Sequence, residues 1–322
     1  MGDENTIPLA TTISEQARAL YSAFPDKTSI PANPAADDQA GWHAMWLQME
    51  ASEKPRNDAV LARYQPLITR SELAGIPVLD IRPQGWEDNG KILLHTHGGA
   101  YTLFSAASSL AVTVPVASDT GLRVISIDYT LAPRAQWQQI LNEVLAVIGE
   151  LQQQGYAIAD MAILGESAGG SLANGVALKL RDQDLGLLGA VLLWSPWSDI
   201  SEIGESYATL RDADPAYFYD LHLESAALAY AREEDHRHPY VSPVYGDYST
   251  GFPPTLIQGG TREIFLSNFV RHYQVIDSAD QTVKLDLYEG MPHVFQALDP
   301  EMPESKLARE KLRKFLDRYF CI

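Results

Sequence analysis

Residues 161–170 read MAILGESAGG, and the helix-like run SLANGVALKL follows at once. An aliphatic strand stops at Ser167 and a helix begins on the next residue. Such a turn brings backbone into contact with itself, so Gly165 and Gly169 flank the serine where a Cβ would clash. The hydroxyl is pushed out of the fold, and the new helix aims its free N–H groups and positive dipole end at any anion formed there. The pattern G-x-S-x-G in this strand–turn–helix context predicts a nucleophile at Ser167 and an architecture of layered strands and helices.

Further strand-like and helix-like segments alternate from about residue 70 onward. KILLHTH (91–97), RVISIDY (123–129), GAVLLWS (189–195), PTLIQGG (254–260) and KLDLYEG (284–290) are apolar, mostly branched and bounded by turn residues. Between them lie helical patterns, the clearest being QQILNEVLAVIGELQQQG, SNFVRHYQVIDSA and PESKLAREKLRKFLDRYF. Strands buried on both faces and joined by helices predict a mostly parallel sheet covered on both sides. Two stretches break this rhythm: residues 1–60, with a proline-rich DKTSIPANPAADD, and residues 199–250, polar and aromatic. The expected organisation is a core over 61–198 and 251–322, with the two irregular stretches forming a helical cap over the strand ends, where ligands of open α/β sheets bind.

Composition excludes several classes. No apolar run approaches the ~18–20 residues needed to span a bilayer, and the start is acidic and polar, unlike a signal peptide. Gly2 and Thr6 fit the loose myristoylation pattern, but Asp3 and Glu4 give no basic support for an anionic membrane, so the match reads as chance. The single cysteine, Cys321, allows neither an internal disulfide framework nor a cysteine-based zinc site, and fits a reducing cytoplasm. With 24 Lys+Arg against 42 Asp+Glu, a net charge of −18 disfavours nucleic acid and anionic membrane as partners.

A serine nucleophile needs a base, usually histidine, and the base needs a carboxylate to hold its tautomer. Of the histidines after Ser167, His222, His236 and His238 lie in the irregular stretch and His272 inside a helical pattern; only His293 directly follows a strand. Glu263 is the single carboxylate between PTLIQGG and the next helix, whereas Asp277, Asp280 and Asp286 fall in or beyond that helix or inside the following strand. Developing negative charge needs backbone donors. His97-Gly98-Gly99-Ala100 closes the KILLHTH strand with two glycines, placing amides beside the nucleophile together with that of Ala168. A competing reading makes His95 and His97 a metal pair on one strand face. No third-ligand spacing follows, so no metal and no cofactor is expected.

HGGA at 97–100, DYTLAP at 128–133, GESAGG at 165–170, SPWSD at 195–199, GTRE at 260–263 and MPHVF at 291–295 together resemble the hormone-sensitive lipase family, which includes bacterial family IV carboxylesterases. The resemblance implies an α/β-hydrolase fold with a helical cap and hydrolysis of short acyl esters. It also implies Ser167, Glu263 and His293 as catalytic triad, and Gly99, Ala100 and Ala168 as oxyanion-hole donors. His97 and Gly98 would shape the loop, and a homodimer would form through the edge strand near 284–290. The chain departs from the family pattern at Ala100, where a third glycine is usual, and at Thr130 and Arg134 in DYTLAPR. It departs again at Glu263, where aspartate is commoner, and at Val294 after the histidine. A lactone hydrolase or deacetylase on the same triad remains open, as does a non-catalytic binding protein on the same fold. Tyr101, Phe104, Trp197, Tyr217, Phe218 and Phe265 are candidates for pocket walls or for plain core.

Overall fold

The structure is a computed structural model that describes residues 8–322; the Gly2–Thr6 pattern lies outside them. Eight strands form one sheet: β1 (Leu67–Leu73), β2 (Ile76–Arg82), β3 (Ile92–Thr96), β4 (Arg123–Ile127), β5 (Met161–Glu166), β6 (Ala190–Trp194), β7 (Thr255–Gly260) and β8 (Val283–Tyr288). Their order is β1-β2-β4-β3-β5-β6-β7-β8. β1 and β2 run antiparallel to their neighbours, and β3 to β8 are parallel. The parallel part matches the alternation in the sequence.

The helices are α1 (Glu15–Ala23), α2 (Gln39–Tyr64), α3 (Leu110–Thr120), α4 (Trp137–Gln153), α5 (Ala168–Asp182), α6 (Glu205–Thr209), α7 (Tyr219–His222), α8 (Glu224–Tyr230), α9 (Leu266–Asp277), α10 (Phe295–Leu298) and α11 (Pro303–Tyr319). Strand periodicity divides the core into two. Leu94, Ile125, Ile163, Val191 and Ile257 pack with Val144 of α4, Val176 of α5 and Phe269 of α9. Their neighbours Leu93, Val124, Leu164, Leu192 and Leu256 pack with Val114 of α3 and Leu312 and Phe315 of α11. Successive side chains of a strand point to opposite faces, so each branched pair serves both layers.

Two elements go unpredicted. The β1–β2 hairpin turns through Ala74 and Gly75, both at positive φ (51° and 79°), the geometry of a two-residue primed turn. The other is α3, whose LAVTVPVASDT is β-branched and contains Pro115. Burial on nearly every side stabilises it against that poor propensity. Likewise α2 extends through Pro55 to Tyr64, so the division expected at residue 60 falls inside a helix; Val60 and Tyr64 pack in the α3 layer.

The two irregular stretches meet. Lys27, 8% exposed, donates from Nζ to the carbonyls of Arg211, Asp214 (2.5 Å) and Tyr217 (3.2 Å), and lies over the Phe218 ring. Asn33 donates from its backbone N–H to Leu221 O (2.8 Å) and from Nδ2 to His222 O (2.6 Å). A buried lysine with carbonyl partners is unusual, since its charge must be solvated by the chain itself. Here it ties residues 211–217 down beside the carboxyl ends of the parallel strands. Among the described residues β8 pairs with β7 alone and forms one edge of the sheet.

Candidate active site

Ser167, Glu263, His293, Ala168 and the His97–Ala100 loop lie just beyond the carboxyl ends of β3, β5, β7 and β8. Ser167 sits between β5 and α5 with φ 55° and ψ −124°, a conformation that costs an L-residue about 1–3 kcal/mol and persists where the surroundings enforce it. They do enforce it. Ser167 N–H donates to Trp194 O (2.8 Å) and Ser167 O accepts from Trp197 N–H (3.0 Å). A Cβ on Gly165 would lie 2.2 Å from Gly169 O, and one on Gly169 would lie 2.0 Å from Thr96 O, so the elbow requires both glycines.

His293 Nδ1 lies 2.7 Å from Glu263 Oε2. A carboxylate can only accept, so Nδ1 carries the proton and Nε2 is left as a base. Nε2 is buried and has no hydrogen-bond partner among the described residues. The Ser167–His293 link is therefore not closed in this structure, although both residues line one cavity. Such bonds are often long in free enzymes and tighten around substrate. Tyr217 meets the His293 ring edge-on at 5.2 Å and Phe265 lies 4.9 Å away, which fixes the imidazole plane.

Glu263 is fully buried between β7 and α9. Burial pushes its carboxyl above the ordinary range; hydrogen bonds from His293, Gly260 N–H and Ser195 Oγ act in the opposite direction. Ser195 is a member of this group that the sequence reading left without a role. Its hydroxyl donates to Glu263 Oε1 (2.8 Å) and accepts from Val294 N–H (3.1 Å), linking Glu263 to the loop that carries His293. Asp214, also buried, accepts from Ile264 N–H (2.8 Å) and Ala216 N–H (2.7 Å), joining the 211–217 segment to the Glu263 loop. Burial raises its carboxyl too.

The loop after β3 is fixed from below. His95 Nε2 donates to Glu166 Oε2 (2.8 Å) and its Nδ1 accepts from Ser126 Oγ (2.8 Å), while Glu166 Oε1 accepts from Gly98 N–H (2.8 Å). His97 Nδ1 donates to Gly98 O (2.8 Å), and its ring stacks on Tyr129 at 4.2 Å. The metal reading therefore has no support: both nitrogens of His95 are engaged, and no cluster of three His, Cys, Asp or Glu that could hold a metal occurs among the described residues. Gly98 N–H is consumed by Glu166. Among the described residues the amides of Gly99 (φ 99°) and Ala100 (φ 51°) donate no hydrogen bond, nor does that of Ala168, which begins α5. Ala100 adopts the left-handed conformation despite its Cβ. At Gly99 a Cβ would meet Leu103 O at 2.3 Å, so no larger residue fits.

Ser167, His293, Gly98 and Gly99 open onto a cavity of about 230 Å³. Of the aromatic wall candidates, Phe104 and Tyr217 line it. Tyr101, Trp197, Phe265 and Phe218 are packed in the interior instead, Tyr101 stacked on Tyr230 and Phe218 under Lys27.

Residues 93–297 match the family described as having the alpha/beta hydrolase fold. An esterase of Acinetobacter venetianus is 31% identical over 244 residues, covering 76% of this chain and 79% of its own. An acetyl-hydrolase of Streptomyces hygroscopicus is 31% identical over 236 residues, covering 73% and 78%. Among solved structures, an esterase superposes with a TM-score of 0.89 at 28% identity over 99% of this chain and 98% of its own. An esterase from the bacterial hormone-sensitive lipase family gives 0.82 at 26% identity over 95% and 98%. The chain belongs to the hormone-sensitive lipase family of α/β-hydrolases. In this α/β-hydrolase Ser167, His293 and the glycine loop border one cavity, with Glu263 hydrogen-bonded to His293 behind it. No helix among the described residues is long and apolar enough to cross a membrane.

Proposed function

We propose that this α/β-hydrolase is a serine carboxylesterase that cleaves short acyl esters through an acyl-enzyme. The observation that carries the reading is that His293, held by Glu263, lines one cavity with Ser167 and Gly99, whose amide makes no hydrogen bond among the described residues. Ser167 Oγ attacks the ester carbonyl as its proton passes to His293 Nε2; the oxyanion rests on the amides of Gly99, Ala100 and Ala168. The imidazolium then returns the proton to the leaving alcohol. Water repeats the sequence on the acyl-serine, releasing the acid and restoring the hydroxyl. Glu263 holds the Nδ1 tautomer and stabilises the imidazolium.

A cavity of about 230 Å³ supports short acyl groups, being smaller than the ~300–1,000 Å³ usual for larger ligands. The relative named an acetyl-hydrolase supports acetates among the substrates. The stretches 1–60 and 199–250 act as the cap that walls this cavity, a role supported by Phe24 and Tyr217 in its lining. The unpaired edge of β8 supports a homodimer through residues 284–290, and the single cysteine supports a cytoplasmic location.

Ser167→Ala is expected to remove turnover of 4-nitrophenyl butyrate with an unchanged melting curve, and an organophosphate is expected to label Ser167 alone by peptide mapping. Undiminished turnover in the variant would overturn the assignment.

A further inference from the structure

The cavity is apolar along most of its wall, yet one charged pair stands in it. Met49, Glu53 and Arg56 of α2 line it together, because positions i, i+4 and i+7 share one helix face. The adjoining flank of the helix is anchored: Asn57, one turn beyond Glu53, donates from Nδ2 to Ala107 O and Ser108 O, and its Oδ1 accepts from Ala111 N–H. The pair's orientation toward the cavity is thus set by the fold.

Arg56 Nη1 donates to Glu53 Oε2 at 2.5 Å. The side chains are 35% and 15% exposed, so both are partly withdrawn from water but reachable. Arg56 spends one of its five N–H donors on this bond, which falls on Glu53 Oε2, and no other hydrogen bond is made to the Glu53 carboxylate among the described residues. Glu50, one turn earlier, accepts from Ser105 Oγ at Oε2 (2.9 Å), while its Oε1 is buried without a partner among the described residues. The pair therefore presents a free donor and a free acceptor side by side with no net charge.

An alkyl tail laid against this pair would strip water from two charged groups and return no hydrogen bond. A carboxylate tail would face Glu53, and an ammonium would face Arg56. A hydroxyl or amide both accepts from the guanidinium and donates to the carboxylate. We propose that Glu53 and Arg56 form the recognition point for the distal part of the substrate, selecting esters with a neutral hydroxyl or amide remote from the scissile bond over esters ending in alkyl. This rests on Ser167 being the nucleophile of the same cavity.

The test compares kcat/KM within two matched pairs: 4-nitrophenyl 6-hydroxyhexanoate against hexanoate on the acyl side, and 6-hydroxyhexyl acetate against hexyl acetate on the alcohol side. The hydroxyl-bearing member is expected to be favoured about fivefold in one pair, what one net hydrogen bond provides. The other pair, reporting the side away from α2, stays near unity. The double variant Glu53→Leu/Arg56→Met removes both charges together and should reverse the preference. Lys54→Gln, in the exposed ion pair with Asp58 on the outer face of α2, should leave it in place. Hydrolysis of all four esters by the wild type with ratios near one in both pairs overturns the inference and leaves the esterase reading intact, whether or not the double variant folds. A preference that survives in a folded double variant also overturns it. Failure to hydrolyse any of the four overturns the esterase reading itself.

Discussion

Ser195 belongs to no catalytic pattern of its own, yet it holds the acid and the base loop in register. Its hydroxyl gives Glu263 Oε1 a hydrogen bond and takes one from Val294 N–H. Donors to a carboxylate favour its ionised form, so removing one raises its titration further. Ser195→Ala is expected to lower kcat about tenfold, the worth of one charge-assisted bond, and to shift the acid limb of the kcat profile to higher pH with little change in KM. A uniform loss at every pH would point to a merely structural role. Glu263→Gln tests the acid more directly. A glutamine amide can still accept from Ser195 and Gly260, but its NH₂ faces Nδ1 and drives His293 to the wrong tautomer. Loss of kcat by ~10³–10⁴-fold is expected. Stability should move the other way. The folded-state carboxyl is raised by burial, so its favourable contribution exists only below the ordinary carboxylate range and is lost as pH rises through the folded value. At pH 7 the glutamine variant should therefore melt at or above the wild type, with the difference closing toward pH 4. Asp277→Asn, on the exposed face of α9, should leave kcat unchanged.

Among the elements, α2 shows how much of the site rests on a helix that no motif marks. Asn57 is buried and makes three hydrogen bonds to the approach to α3. Asn57→Ala leaves Ala107 O, Ser108 O and Ala111 N–H short of partners, and a loss of about 2–3 kcal/mol in urea unfolding is expected. A smaller loss would mean that water replaces the amide. The same helix marks the boundary of what could be read in advance. The parallel strands β3 to β7 were legible because both faces are buried and each is a short apolar run, and β8 because it repeats that apolar pattern at the edge. The elbow turn at Ser167 and the placing of Glu263 and His293 side by side were legible because each follows a strand. The β1–β2 hairpin was not: β1 is largely exposed, β2 contains Pro77, and the turn is Ala74-Gly75 where Asn-Gly would have signalled it. Nor was α3, where tertiary burial overrides Pro115 and a β-branched run. Residues that hold the catalytic groups from behind, such as Ser195, Glu166 and Asp214, act through contacts far apart in sequence, and their types alone do not distinguish them from ordinary turn residues.

At the scale of the whole molecule the dominant quantity is the net charge of −18. Charge of one sign spread over a surface creates a field that lowers the local concentration of like-charged solutes, and added salt shortens its reach to about 10 Å at 0.1 M. Inside the cavity Glu53 is paired with Arg56, so the bound ester experiences little of that field. The approach to the cavity does experience it. The consequence separates two steps of the reaction. For a neutral ester such as 4-nitrophenyl butyrate, kcat/KM should be nearly flat from 0.02 to 0.5 M NaCl at pH 7.5. For the hemisuccinate ester of 4-nitrophenol, which carries a carboxylate, kcat/KM should be lower and should rise several-fold over that range, while its kcat stays constant. A parallel rise for both esters would place the salt effect on the protein's conformation, and a flat response for the anionic ester would mean that the acidic surface lies away from the mouth of the cavity.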